Sequence, residues 1–323
     1  MAYLSKTLTK TDIIQRKVSS YGFVIVLFLI IIIMSIVAPS FLTARNIMNL
    51  LRQVSIVGIT ACGATFVILL GEIDLSVGSV IALAGVLYAS FQFFVPVTLA
   101  VLGAIAVGWS IGLLNGWIIA KTKIASFVIT LGSMAVVRGL ALLYANGRPI
   151  FGLKAPARWL GTSYIGPIPL MVILFLLIVM AAAVTLKMTK IGRFIYSIGG
   201  NEEASYLAGI KVSFYKTIAF AIAGLTASFG GVLLTSRLGS GDPIAAQGYE
   251  FDVIGAVVIG GTSLKGGSGT VIGTLLGTML LGILTNGMNL LGVNPYWQQV
   301  AKGLIIIGAV LVDKQRQKGL YSE

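Results

Sequence analysis

Only ten of the 323 residues are Asp or Glu. Two of them, Glu72 and Asp74, stand in the break Gly71-Glu72-Ile73-Asp74-Leu75-Ser76-Val77-Gly78-Ser79, between two long apolar stretches. A single Asp at the centre of a lipid-facing helix costs roughly 2.5 to 3.5 kcal/mol on insertion scales, so these acids must face protein, water or a membrane surface. Carboxylates so placed can cap the following helix, line a polar path, or take up protons or ions, and the sequence leaves all three chemistries open. Asp74 or Ser76 stands directly before an apolar run, where a helix N-cap belongs. Asn115, Asn286 and Asn289 are further path candidates, although in apolar surroundings interhelical hydrogen bonding is an equally good use of an amide.

A second group is Gly199-Gly200-Asn201-Glu202-Glu203-Ala204-Ser205-Tyr206-Leu207-Ala208-Gly209. Asn201 can cap the free amides of a first turn, Glu202 and Glu203 oppose the positive end of the helix dipole, and Gly209 can take the left-handed conformation that ends a helix. The segment predicts a short helix over 201–208. Alone in water it would be marginal, so it either packs on its own bundle or docks a partner. A third group lies in Arg237-Leu238-Gly239-Ser240-Gly241-Asp242-Pro243 and Gly248-Tyr249-Glu250-Phe251-Asp252. Its charges, Arg237, Asp242, Glu250 and Asp252, fit solvated loops or a docking surface for an external protein.

Other chemistries are excluded. With no His in the chain, imidazole catalysis and His-ligated metal sites are absent. Cys62 is the single cysteine and cannot form an internal disulfide. The glycine-rich break Gly260-Gly261-Thr262-Ser263-Leu264-Lys265-Gly266-Gly267-Ser268-Gly269 lacks the Gly-Lys-Ser/Thr order of a phosphate loop and is flanked by apolar runs. No nucleophile stands beside a base, so the chain reads as a non-enzyme. The net charge of +13 comes from basic residues at the ends of apolar runs, which speaks for membrane orientation and against a nucleic-acid partner.

Membrane helices must position these groups. The chain is 57% hydrophobic and 10% charged, against about 25% charged residues in soluble domains. Apolar runs near 20–38, 53–70, 76–94, 97–119, 125–144, 167–186, 216–236, 252–264, 270–291 and 296–312 predict an all-α integral membrane protein of about ten transmembrane helices, most long enough to cross about 30 Å of hydrocarbon. The run at 252–264 is the shortest. Residues 1–323 form one transmembrane domain, with no soluble domain in the gaps. The first run exceeds a signal core and is read as a retained span. Lys6, Lys10, Arg16 and Lys17 ahead of it place the N-terminus in the cytoplasm under the positive-inside rule. Lys121, Lys123, Lys187, Lys190, Arg193, Lys211, Lys216 and Lys265 then fall inside, as does the C-terminal tail with Lys314, Arg316 and Lys318, whereas Arg148, Lys154 and Arg158 run against the rule. The 40 glycines predict close helix contacts.

From about residue 40 to 313 the chain resembles the permease subunits of ATP-binding-cassette importers for monosaccharides, in the ribose-type branch. Five segments carry the likeness in this order: Gly71 to Ser79; Lys190-Ile191-Gly192-Arg193-Phe194-Ile195-Tyr196-Ser197-Ile198-Gly199-Gly200-Asn201-Glu202; Gly248 to Asp252; Val258-Ile259-Gly260-Gly261-Thr262-Ser263; and Asn286-Gly287-Met288-Asn289-Leu290-Leu291-Gly292-Val293. The resemblance implies a homodimer in the lipid of a bacterial inner membrane, importing a monosaccharide such as ribose. A cytoplasmic sugar-type ATPase would bind the ATP and magnesium, and an extracytoplasmic sugar-binding protein would deliver the substrate. It implies no cofactor or metal in this chain. Residues 201–208 become the coupling helix, with Gly199, Gly200, Asn201, Glu202, Glu203 and Gly209 at the ATPase junction. Arg237, Asp242, Glu250 and Asp252 become candidates for contact with the binding protein. Glu72, Asp74, Ser76, Asn115, Asn286 and Asn289 are the translocation-path candidates. Asp74, Leu75 and Ser76 match the family pattern, whereas members often carry a small or neutral residue where this chain has Glu72. The alternative is a secondary transporter driven by an ion gradient through Glu72 and Asp74. Against it, few other intramembrane ionisable groups are available to complete a relay.

Overall fold

Residues 25–321 are described here in a computed structural model. The helices in chain order are α1 (Ile25–Val37), α2 (Ala44–Leu69), α3 (Val77–Phe91), α4 (Val97–Thr122), α5 (Ser126–Tyr144), α6 (Ala155–Thr162), α7 (Leu170–Met188), α8 (Lys190–Gly200), α9 (Glu202–Leu207), α10 (Val212–Leu238), α11 (Tyr249–Ile259), α12 (Val271–Leu290) and α13 (Pro295–Tyr321). Between α6 and α7, β1 (Tyr164–Ile165) and β2 (Ile168–Pro169) pair as a small antiparallel hairpin. The start of the predicted span 20–38 and the basic N-terminal residues lie outside the described residues.

Six of these helices, α2, α4, α5, α7, α10 and α12, are long and apolar enough to cross a membrane, and α1 and α3 are shorter apolar helices. Helix α2 begins nine residues before the apolar run at 53–70 because its first turns carry Arg45, Asn46, Asn49 and Arg52. Hydropathy alone hides such a start, although the Thr43 side chain caps it by accepting from Asn46 N–H at 3.4 Å. Helices α2 and α10 are mostly buried, whereas α4 and α5 bury little and turn exposed apolar side chains outward. Helix α3 is apolar on all sides and every residue from Val77 to Ala89 is buried, as expected of a central helix.

Small residues set the closest contact. Ala100, Ala104, Gly108, Gly112 and Gly116 recur every four residues along α4 and are all buried. Gly108 lies against Ser228 and Gly224 of α10, Gly112 against Gly224 and the Phe220 carbonyl, and Gly116 against Thr217 and Phe220. Small residues at this spacing let two helix backbones approach and gain dispersion contacts that lipid cannot supply.

The run at 252–264 behaves differently from a full span. Its helix, α11, has 11 residues and rises about 16 Å at 1.5 Å per residue, half the hydrocarbon thickness. The chain reaches it by turning back into the protein after α10. Gly241 exchanges backbone hydrogen bonds with Ile150 at 2.8 and 2.9 Å and lies against Val86 and Ala89 of α3, whereas Ala246 and Glu250 lie against Gly78 at the other end of α3. Helix α11 therefore starts level with the start of α3. Arg138 of α5 donates to the Pro243 and Ala245 carbonyls at 2.8 and 2.9 Å, satisfying irregular backbone that has no helical partner. The connection 145–166 also holds more structure than a plain loop. The Ala157 carbonyl of α6 accepts from Tyr88 at 2.7 Å and Ser236 at 2.9 Å, tying it to α3 and α10.

Candidate coupling and translocation site

Three glycine-bearing turns meet at the Leu69 end of α2. Gly71 follows that helix at φ +77°, Gly266 and Gly267 in the turn before α12 sit at φ +86° and +74°, and Gly199 belongs to the last turn of α8. The Leu69 carbonyl accepts from Gly267 N–H at 2.9 Å, and a Cβ on Gly199 would strike that carbonyl. At Gly71 and Gly266 both the left-handed backbone and the close approach of neighbouring main chain exclude a side chain. Tyr196 of α8 donates to the Gly269 carbonyl at 2.8 Å. The segments 71–79, 190–202 and 260–269 thus form one junction.

The break itself is fastened on two sides. Ile73 N–H donates to Ser126 Oγ at 3.0 Å and its carbonyl accepts from Thr130 at 3.3 Å, both on α5. The Asp74 carboxylate is buried and accepts from Ser76 N–H at 2.8 Å and Ser76 Oγ at 2.6 Å. Asn115 of α4 donates to Ser76 Oγ at 3.2 Å. Asp74, Ser76 and Asn115 form one polar cluster at the start of α3.

Glu72 belongs to a different cluster. Lys216 Nζ of α10 lies 2.7 Å from Glu72 Oε1 and 2.8 Å from Glu202 Oε2 of α9. Sequence reasoning counted Lys216 only toward topology and missed this bridge. A signal was present, since a lysine buried in the second turn of a mostly apolar helix needs a carboxylate partner, and the chain has few to offer. The three charges border an open cavity of about 910 Å³ whose walls also include Lys123, Glu203 and Tyr206.

Helix α9 stands at this mouth with both ends marked. Asn201 Oδ1 accepts from Ala204 N–H at 2.9 Å, and Gly209 takes φ +83° just past its end. The Ser197 and Ser205 hydroxyls are 2.9 Å apart and hold α9 to α8. Tyr206 and Leu207 are 70% and 79% exposed. Gly200 faces open space, unlike Gly199.

The remaining candidates are dispersed. Asn286 of α12 pairs with Asn46 of α2, and Asn289 accepts from Gln298 of α13 at 2.8 Å, so the two amides hold helices together at the opposite end of the bundle from α9. Asp242 accepts from Ile244 N–H at 3.0 Å in a local turn. Asp252 is ion-paired with Lys302 of α13 at 2.8 Å, Glu250 is buried against Gly78, and Arg237 is half-buried. None of these four side chains is fully exposed in the isolated chain. Among the described residues, no group of three or more His, Cys, Asp and Glu could hold a metal ion.

The sequence profile for the permease component of branched-chain amino acid transport systems matches residues 46–310. The ribose import permease protein RbsC of Bacillus subtilis is 47% identical over 293 residues, covering 90% of this chain and 91% of that protein. RbsC of Haemophilus influenzae is 44% identical over 294 residues, with 90% and 91% covered. The L-arabinose transport system permease protein AraH of Escherichia coli is 39% identical over 308 residues, with 92% and 91% covered. No solved structure matches the chain. Taken with the six membrane-length helices, these likenesses identify a multi-pass membrane protein that belongs to the permease-component family, in the ribose-type branch of ABC importers.

Proposed function

We propose that the chain is one of two identical permeases that carry ribose or a closely related monosaccharide across a bacterial inner membrane, powered by a separate cytoplasmic ATPase. The supporting observation is α9. It is a short capped helix, too short to stand alone, that turns Tyr206 and Leu207 to the outside beside a wide charged cavity. Exposed apolar side chains on an anchored helix are what a docking partner covers. In this reading residues 1–323 make one transmembrane domain of about ten passes, one of them made by the return segment 239–248 together with the short helix α11, with both termini and α9 in the cytoplasm. Helices α3 and α11, of 15 and 11 residues, are shorter than a full span, and their N-termini meet inside the protein, the arrangement transporters use to present backbone and polar groups near the bilayer midplane. The ATPase supplies ATP and magnesium binding, a soluble protein delivers sugar on the opposite face, and this chain carries neither cofactor nor metal. The relatives named for ribose and L-arabinose point to the substrate class.

The ion-driven alternative is weaker because Glu72, one of its two acids, is engaged by Lys216. Affinity purification from gently solubilised membranes tests the proposal. Co-elution of an ATPase whose hydrolysis rises with a sugar-loaded binding protein is the expected result. A chain that elutes alone and moves sugar down an ion gradient in vesicles would overturn it.

A further inference from the structure

We infer that Lys216 is a positioning residue that links α9 to the break before α3, so that displacement of α9 is felt at the start of the central helix. This rests on the reading of α9 as the contact with the ATPase.

The two arms of the bridge are unequal. The Lys216 and Glu72 side chains are 10% and 15% exposed, whereas Glu202 is 52% exposed. A pair shielded from water interacts far more strongly than one in high dielectric, and an exposed pair contributes little on its own. Lys216 therefore shares its Nζ between a shielded carboxylate on the break and a water-exposed one on α9, to which it donates a hydrogen bond at 2.8 Å. Its Nζ lies within 3 Å of both carboxylates, and a shift of α9 that removes Glu202 changes the charge balance around Glu72 directly.

What lies beyond Glu72 gives the shift a route. Ile73 is bonded to Ser126 and Thr130 of α5, and Asp74 holds Ser76 at the start of α3. That start faces Ala246 and Glu250 at the head of α11. The α8–α9 unit also touches the junction through backbone, where Gly199 abuts the Leu69 carbonyl and Gly267. One contact is rigid main chain and the other an exchangeable ion pair. Such a pair is the kind of element that can adopt two discrete arrangements, which energetic coupling between sites requires. Glu72, a residue that family likeness alone does not single out, thus has a defined partner and task.

The test uses the complete importer, permease with its ATPase and binding protein, in proteoliposomes, and reads sugar transported per ATP hydrolysed. In Glu72→Gln this ratio is expected to fall at least about fivefold, the lower end of typical coupling between sites, while the ATPase co-purifies in the wild-type proportion. Because an unpaired buried lysine can unfold the protein, E72Q/K216M is the companion variant. It removes both charges and is expected to show the same fall in the ratio with a wild-type melting temperature. Reversing all three charges in E72K/K216E/E202K is expected to restore the ratio. An unchanged ratio in E72Q and in E72Q/K216M, or uptake and hydrolysis that fall in parallel, would overturn the inference and leave the proposed function standing. If the wild-type chain shows neither ATPase binding nor ATP-driven uptake, the proposed function fails and this inference fails with it.

Discussion

Asn46 and Asn286 exchange side-chain hydrogen bonds in both directions: Asn46 Nδ2 donates to Asn286 Oδ1 at 2.8 Å, and Asn286 Nδ2 donates to Asn46 Oδ1 at 2.9 Å. Both residues are buried, and the pair joins the first turn of α2 to the last turns of α12. Asn46 Nδ2 also donates to the Phe41 carbonyl at 2.9 Å. The closed pair gives the Asn286 amide one donor and one acceptor partner in an apolar region, and its geometry describes a clasp between helices better than a sugar contact.

Replacing one amide should therefore cost more than replacing both. Asn286→Leu leaves Asn46 Oδ1 without its donor while Nδ2 keeps only the Phe41 carbonyl, and a buried unsatisfied polar group costs about 1 to 3 kcal/mol. In the double variant N46L/N286L both amides leave together, so only the Phe41 carbonyl is left without its partner, and the two new side chains can pack on each other. Thermal unfolding of the purified protein in detergent should show the single variant melting lower than the double. Equal or additive losses would mean that the amides act independently.

The α4–α10 contact yields a matched comparison. Gly112→Ala places a methyl group against the Phe220 carbonyl and Gly224, whereas Gly132→Ala and Gly139→Ala, on the neighbouring helix α5, meet nothing within 4 Å. Overpacking a tight contact costs about 1 to 3 kcal/mol, whereas Ala in place of Gly in an open helix position favours the helix by up to about 1 kcal/mol. Gly112→Ala should lower the melting temperature and reduce the monodisperse fraction in size-exclusion chromatography, and the α5 variants should leave both unchanged or improved. Similar behaviour of all three would remove close backbone approach as the reason for the glycine.

Positions 199 and 200 make the same argument at the junction. Gly199→Ala drives a methyl group into the Leu69 carbonyl and Gly267 N–H, and Gly200→Ala meets nothing within 4 Å. Both residues belong to the same last turn of α8, so helix propensity changes equally and only the contact differs. A lower melting temperature for Gly199→Ala alone is the expected outcome. Equal melting temperatures would show that the junction yields without cost.

Much of this architecture was legible in the chain. Apolar runs of membrane length located α4, α5, α7, α10 and α12 because in lipid the backbone must satisfy itself within each helix. Asn201 and Gly209 announced the ends of α9 through their side-chain and backbone chemistry. What hydropathy cannot see is how polar groups are shared between helices distant in sequence. Lys216 looked like a topology marker because its partners are 144 and 14 residues away along the chain. Helix α11 looked like a short span because the return of residues 239–248 along α3 depends on Arg138 and Ile150, which no local pattern connects to it. The four-residue recurrence from Ala100 to Gly116 was readable and carried the α4–α10 contact, but a count of glycines does not expose a stripe.

The exposed face of α9 separates docking from folding. Tyr206 and Leu207 bury little of their side chains in the isolated chain, and surface substitutions away from buried features usually change stability by less than about 0.5 kcal/mol. If a partner covers them, truncation removes apolar area from that interface instead, at about 25 cal/mol per Å², and truncated aromatic anchors often weaken binding by more than about 1 kcal/mol. Y206A/L207A should keep the wild-type melting temperature and membrane level while recovering much less ATPase in a pull-down. Its sugar-stimulated hydrolysis should fall with the amount of bound partner. The triple replacement of Asn201, Glu202 and Glu203 by Ala is expected to act otherwise. It strips the cap and one arm of the Lys216 bridge, so α9 loosens and hydrolysis by whatever ATPase remains bound is no longer matched by uptake. Wild-type recovery of the ATPase by Y206A/L207A would move the docking surface off this helix, and unchanged uptake in the triple variant would remove α9 from coupling altogether.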